Sequence, residues 1–201
     1  MYTKSAETSN QTPFPLIMKT ILVTPALAYM PSYLDALREG HRLGASTVKT
    51  AEDIAMIESD PQAFLDDLLG PKPATRINEL GKEVERVPQS MVWLVENGVF
   101  IGDAGIRHKL TPELEISGGH IGYGVRPSFH GKGYATELLR HCVLWVRDNL
   151  ALPRVMLTCR TDNEASARVI EKNDGILIDI TPHPYAAGMT QKRYWVAVPV
   201  K

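Results

Sequence analysis

Gly122-Tyr123-Gly124-Val125-Arg126-Pro127-Ser128-Phe129-His130-Gly131-Lys132-Gly133-Tyr134-Ala135-Thr136 runs from an apolar strand through a tight turn into a helix. Gly131 and Gly133 allow the backbone to approach a ligand closely and to adopt conformations closed to other residues. The helix that follows, expected over residues 136–149, places Leu138, Leu139, Cys142, Val143 and Val146 on one stripe. Its first-turn amides lack intrahelical partners and point back into the loop, where they and the helix dipole favour an anion. Lys132 and Arg126 add positive charge beside it. A pyrophosphate is the expected occupant.

Two phosphate-loop patterns are excluded or weakened by the residues themselves. The Walker pattern needs Ser or Thr after its lysine, but Lys132 is followed by Gly133 and lacks the upstream glycine. The dinucleotide fingerprint needs a Gly or Ala where Thr136 stands, within an early strand-helix-strand unit. The elements on either side are of another kind. Upstream, residues 91–95 read as a short strand, Glu96-Asn97-Gly98 as a hairpin turn, and residues 99–108 and 119–125 as two more strands. Residues 111–115 read as a polar connection.

Downstream, residues 154–159 form a buried-type strand and residues 163–172 a helix opened by Thr161-Asp162-Asn163 and ended at Asp174-Gly175. Strands follow over residues 176–180 and 194–198. Before residue 80 the pattern is helical. Tyr33, Leu34, Leu37 and Leu43 suggest one helix; Phe64, Leu65, Leu68 and Leu69 suggest another between Asp60-Pro61 and Gly70-Pro71. Residues 71–73 and 81–88 read as loops. Residues 1–17 are polar, lack a signal-peptide pattern, and are expected to be an extension or tag. Residues 18–201 then form a single α/β domain around a mixed sheet.

The segment His130-Gly131-Lys132-Gly133-Tyr134-Ala135 resembles the signature of the GNAT superfamily of acetyl-CoA-dependent acetyltransferases, with His130 where Arg or Gln is usual. Asn163-Glu164-Ala165-Ser166, with Val169, Glu171, Lys172 and Gly175, is similar to the family's second cofactor motif, and the resemblance covers roughly residues 90–198. Arg107-His108, the run from Gly118 to Gly124 and Arg193-Tyr194-Trp195 resemble one branch of predicted acetyltransferases. The resemblance implies a largely antiparallel sheet flanked by helices and splayed between its fourth and fifth strands. The pantetheine arm of acetyl-CoA would enter that gap, hydrogen-bond near Tyr123 and Val125 as an added strand does, and contact Asn163. Its pyrophosphate would rest on the amides of Gly131, Lys132, Gly133, Tyr134 and Ala135, with the His130 and Lys132 side chains beside them.

Catalysis would then consist of positioning, polarisation of the thioester carbonyl and removal of an amine proton. Many relatives place a proton-donating tyrosine where this chain has Ile170. Three residues are candidates for the base. His120 has the right unperturbed pKa and begins the strand leading to the donor; Glu115 and His108 are the alternatives. The expected reaction moves an acetyl group from acetyl-CoA to a primary amine, small or on a protein. A non-catalytic acyl-CoA sensor and transfer of a larger acyl group are the rival readings.

Composition narrows the classes further. Lys+Arg 22 against Asp+Glu 23 gives a formal charge of -1, so there is no global basic field for nucleic acid. No apolar run approaches a membrane span. Cys142 and Cys159 form no CxxC pair, and the six histidines show no ligand spacing, so no metal is expected. Reduced cysteines fit a cytoplasmic protein. A homodimer through exposed strand edges is an expectation from the resemblance alone.

Overall fold

The computed structural model describes residues 19–42, 47–78 and 80–201. The expectation for residues 1–17, and that for Leu43, lie outside them. Nine strands and six α-helices are found among these residues, in the order β1 (Thr20–Val23), α1 (Met30–Arg38), α2 (Ala51–Ser59), α3 (Pro61–Leu69), β2 (Thr75–Ile77), β3 (Glu83–Glu85), β4 (Gln89–Glu96), β5 (Val99–Arg107), α4 (Pro112–Ile116), β6 (Ile121–Val125), α5 (Tyr134–Asn149), β7 (Arg154–Arg160), α6 (Glu164–Glu171), β8 (Ile176–Pro182) and β9 (Thr190–Ala197). Strands β1-β4-β5-β6 form one antiparallel sheet and β7-β9-β8 another.

Local chemistry explains most boundaries. Asn97 and Gly98 both have positive φ (51° and 80°), the pairing a two-residue hairpin needs between β4 and β5. Asp60 caps α3 by accepting from the Ala63 amide, and Pro61 occupies its first position. Asn163 caps α6 through the Ser166 amide. Helix α5 starts two residues earlier than the apolar stripe suggests, because Gly133 (φ 89°) turns the chain directly into Tyr134.

The structure corrects two loop readings. Residues 83–85 pair with residues 75–77 as a small hairpin, held by backbone bonds that an alternating charged sequence does not advertise. Residues 112–116 form a one-turn helix capped by Thr111 rather than an irregular connection. Helix α2 is a third helix in a stretch where the apolar spacing suggests two. Only Ile54 and Ile57 are buried there, and its definition comes from the Thr50–Asp53 capping box.

Two cores sandwich the first sheet. On one side Val92, Leu94, Ile101, Ala104 and Ile106 pack with Leu138, Leu139, Cys142 and Val146 of α5, and this core continues under β7, β9 and α6. On the other, Trp93, Val95 and Phe100 pack against α1, α2 and α3 through Tyr33, Leu34, Leu37, Ile54 and Leu65. Tyr33 stacks on Trp93 at 4.6 Å between ring centroids and meets Phe100 edge-on at 5.0 Å. Trp93 is therefore a core residue, whereas Trp145 and Trp195 are only half-buried.

Candidate active site

The two sheets meet along a short seam. The His120 amide donates to the Met156 carbonyl at 2.7 Å, and the Met156 amide donates to Nδ1 of His120 at 2.9 Å. One step earlier, the Gly118 amide donates to Oγ1 of Thr158 at 3.1 Å. Beyond His120, no further backbone hydrogen bond joins β6 to β7 among the described residues. The strands part there into a cleft.

Glycine makes the seam possible. A Cβ on Gly119 (φ +61°) would lie 2.4 Å from the Met156 carbonyl oxygen, so only a glycine permits this approach. Arg107, half-buried on β5, braces the same turn by donating Nη1 to the carbonyls of Gly118 (3.2 Å) and Gly119 (2.8 Å).

Register decides which main-chain groups face the cleft. The Arg107 amide bonds the His120 carbonyl, and the Arg126 amide bonds the Ile101 carbonyl. In the antiparallel β5–β6 ladder these pairs direct the backbone groups of Gly122 and Gly124 toward β5. Those of Ile121, Tyr123 and Val125 consequently face the open side. The free edge is a template for one extended ligand.

The cleft ends at the loop that opens α5. Gly131 and Gly133 have φ of 73° and 89°, and a Cβ at Gly131 would meet nothing within 4 Å. The amides of Gly131, Lys132 and Gly133 have no bonding partner among the described residues, and those of Tyr134 and Ala135 precede the first intrahelical bond. Five successive N–H groups at a helix N-terminus suit a diphosphate.

The side chains expected to help are engaged elsewhere. Nζ of Lys132 donates to the Ser128 carbonyl at 2.9 Å and sits 5.2 Å from the Phe129 ring centroid. Nε2 of His130 lies 2.7 Å from the Val125 carbonyl oxygen. Arg126 donates Nε and Nη2 to Oε1 of Glu39 at 2.9 and 2.6 Å, and Nη1 to both the carbonyl and hydroxyl of Ser32. The Ser128 amide bonds the other Glu39 oxygen at 3.2 Å. These contacts, the Arg126 hydrogen bond foremost, hold the Glu39 carboxyl down at about 2. The loop's unpaired donors are main-chain amides, and its neighbouring arginine latches it to α1.

Tyr123 crosses the cleft: its hydroxyl lies 3.0 Å from Oγ of Ser166 on α6, and burial raises it to about 12. Tyr134 instead donates to Glu96 at 2.6 Å on the far side of the loop, a bond that, with burial, raises it to about 12. Ile170 is fully buried in the core. The candidate bases sit apart. Glu115 is exposed on α4, where its carbonyl accepts from Arg193. His108 is within 2.9 Å of the Ser90 hydroxyl, at the outer end of β5. His120 is buried in the seam with Nδ1 occupied by the Met156 amide, which leaves its proton on Nε2. Burial, with the nearby Arg107 charge, lowers it to about 4.

A surface hollow of about 550 Å³ beside Leu27, Leu65 and Leu69 shares no lining residue with the cleft. Among the described residues no group of three or more His, Cys, Asp or Glu side chains could hold a metal, and no helix is long and apolar enough to cross a membrane.

A splayed antiparallel sheet whose gap runs into a helix-terminal amide loop is a shape suited to an extended ligand that ends in an anionic group. The comparisons with known proteins agree with that shape. Residues 45–175 match the family profile described as an acetyltransferase (GNAT) domain, and the chain belongs to that family.

Solved structures share the fold at low identity. An acetyltransferase from Salmonella typhimurium, described as modifying the N-terminal serine of ribosomal protein L7/L12, aligns with TM-score 0.58 at 14% identity, covering 90% of this chain and 95% of that one. A spermidine N-acetyltransferase chimera from Vibrio cholerae and its human counterpart aligns with TM-score 0.56 at 12% identity, covering 89% and 96%. A putative acetyltransferase from Salmonella typhimurium, solved with acetyl-CoA, aligns with TM-score 0.51 at 16% identity, covering 90% and 94%.

Proposed function

We propose that this protein transfers an acetyl group from acetyl-CoA to a primary amine by direct attack, both substrates being bound together. The observation that carries this reading is the continuity of the open β6 edge with the five-amide loop. An extended arm and a diphosphate are accommodated in one line. Family membership and the amine acceptors named for two fold relatives support the reading.

In this reading the backbone of Tyr123 and Val125 aligns the pantetheine arm, and the amides of residues 131–135 carry the diphosphate. Asn163, whose Oδ1 already caps α6, is left with its amide NH2 to bond the arm. Because Nε2 of His130 already lies against the Val125 carbonyl, its imidazole shapes the entrance to the edge rather than binding phosphate. His120 acts as the seam that sets the cleft width. Its occupied Nδ1 and lowered proton affinity suit that role better than general-base work.

Calorimetric titration with acetyl-CoA, with NAD and ATP as controls, tests the donor. An amine panel read by released thiol then tests transfer. Binding of acetyl-CoA alone followed by amine-dependent thiol release is the expected result. Binding without release across the panel would replace the enzyme with a sensor, and no binding would remove the donor assignment.

A further inference from the structure

Two hydroxyl groups meet across the cleft, where β6 faces the start of α6. Tyr123 alternates with Gly122 and Gly124 along β6, so its side chain leaves the sheet on the side of α5 and α6, where it packs against the core. Its hydroxyl lies 3.0 Å from Oγ of Ser166 in the first turn of α6, and either atom can donate. Both residues are half-buried, so the pair borders the cleft instead of being sealed in the core.

The pair is fixed from both elements. Asn163 caps α6 by accepting from the Ser166 amide at 3.1 Å, which sets where the serine side chain begins. Tyr123 is held by the β5–β6 ladder, opposite Ala104. Other groups that could serve a leaving sulfur are engaged or lack a proton. Tyr134 donates to Glu96, Oγ1 of Thr158 accepts from the Gly118 amide on the opposite face of β7, and Ile170 has nothing to donate. The titratable groups around the pair are Cys142 of α5 and Cys159 of β7, with Glu171 of α6 and Lys192 of β9 next to Cys159. Burial pushes both thiols up, so neither is an anion near neutral pH.

The free edge of β6 fixes where a carrier's sulfur comes to rest. A pantetheine arm has two amide groups. Laid along the edge with one against the main chain of Val125 and the next against that of Tyr123, it carries the sulfur two methylene groups further on. That direction leads toward the point where His120 and Met156 close the cleft. The sulfur therefore lies beside the Tyr123–Ser166 bridge, which spans the gap on the α6 side.

Resting on the acetyl-transfer reading above, we infer that the Tyr123 hydroxyl receives the departing sulfur, donating a hydrogen bond to the thiolate while Ser166 holds the phenol in line. The neutral amine attacks the thioester carbon; the C–N bond forms, and the C–S bond breaks with its electron pair left on sulfur. The nitrogen then gives its surplus proton to that sulfur, so the amide and the thiol both leave neutral. Tyr123 keeps its own proton throughout. Burial raises its phenol to about 12, well above the ~8.5 of an ordinary cysteine thiol, so it stabilises developing charge without acting as an acid. Tyr123 is the catalytic residue in this step and Ser166 a positioning residue.

The complex with CoA itself tests this without an acceptor. The bound thiol is titrated with pH and followed by thiolate ultraviolet absorbance, with the protein alone as blank. A donor to the anion lowers a thiol's pKa. Tyr123→Phe, which keeps the ring, is therefore expected to raise the pKa of the bound thiol by about 1–2 relative to wild type, with affinity for the protonated form unchanged. Ser166→Ala is expected to shift it less, and to add nothing once Tyr123 is Phe. Equal thiol pKa values in wild type and Tyr123→Phe overturn the assignment, as does a full shift from Ser166→Ala that persists in the double variant. With any amine that releases thiol, Tyr123→Phe should lower kcat about 10–100-fold at constant KM. The factor should be the same across neutral pH, because Tyr123 does not titrate there; an unchanged kcat refutes the role. Wild-type protein that binds no CoA would instead count against the acetyl-transfer reading itself.

Discussion

Replacing Gly119 by Ala tests the seam directly. The residue has φ +61°, where a Cβ costs about 1–2 kcal/mol. The added methyl would lie 2.4 Å from the Met156 oxygen, 2.9 Å from its carbon and 3.2 Å from the Leu157 Cα, all backbone. Relief requires β7 to retreat, which stretches the His120–Met156 bonds now at 2.7 and 2.9 Å. Each contributes about 0.5–1.5 kcal/mol, so the expected loss is about 2–5 kcal/mol. Urea denaturation reads this as a lower midpoint at unchanged slope. Gly122→Ala is the internal comparison: open space surrounds its Cβ and its φ is ordinary, so stability should stay within about 0.5 kcal/mol of wild type. A Gly119→Ala protein as stable as Gly122→Ala would refute the argument that close approach at Gly119 builds the seam.

Three further outcomes are expected. Gly133→Asp places a carboxylate at a left-handed position among five amides and should raise the acetyl-CoA Kd at least about 100-fold; Lys132→Ala should change it little, because Nζ is already bound to Ser128. Lowering the pH from about 6.5 to 4 should destabilise the fold by roughly 3 kcal/mol through His120, since the unfolded chain takes up a proton that the buried ring refuses. His120→Gln should flatten that slope in denaturation curves, and an unchanged slope would count against it. Glu39→Gln removes the charge that latches Arg126 and the Ser128 amide; about 1–3 kcal/mol of stability should be lost, with weaker acetyl-CoA binding by calorimetry. A variant equal to wild type in both would dismiss the latch.

The glycine turn that opens α5 was legible in the sequence because its geometry is local. Two glycines, a strand before and an apolar stripe after specify it within fifteen residues. The same holds for the Asn97-Gly98 hairpin and the Asp60 and Asn163 caps. What escaped depends on partners far along the chain. Arg126, expected to lend its charge to the loop, is held by Glu39, 87 residues earlier in the chain. Nothing local marks the buried His41–Asp103 hydrogen bond either, since its partners lie 62 residues apart. His120 looked like a base because its residue type has the right intrinsic pKa. That property is overridden by a backbone amide from a strand 36 residues downstream. The β2–β3 hairpin was missed for a related reason: its pairing lies between two segments whose charges alone suggest solvent.

The seam at His120 and Met156 also works as a spine. Each half-sheet keeps its own complete ladder, so opening the gap breaks no pairing within either one. As a binding fixes the leaves of a book, the core that α5 shares with both halves holds them at a set angle about this line. The width available to the acyl group is then set by one imidazole and one glycine rather than by the residues lining the gap. In the acetyl-transfer reading proposed above, a substitution at this spine would alter the gap without changing any side chain that faces it.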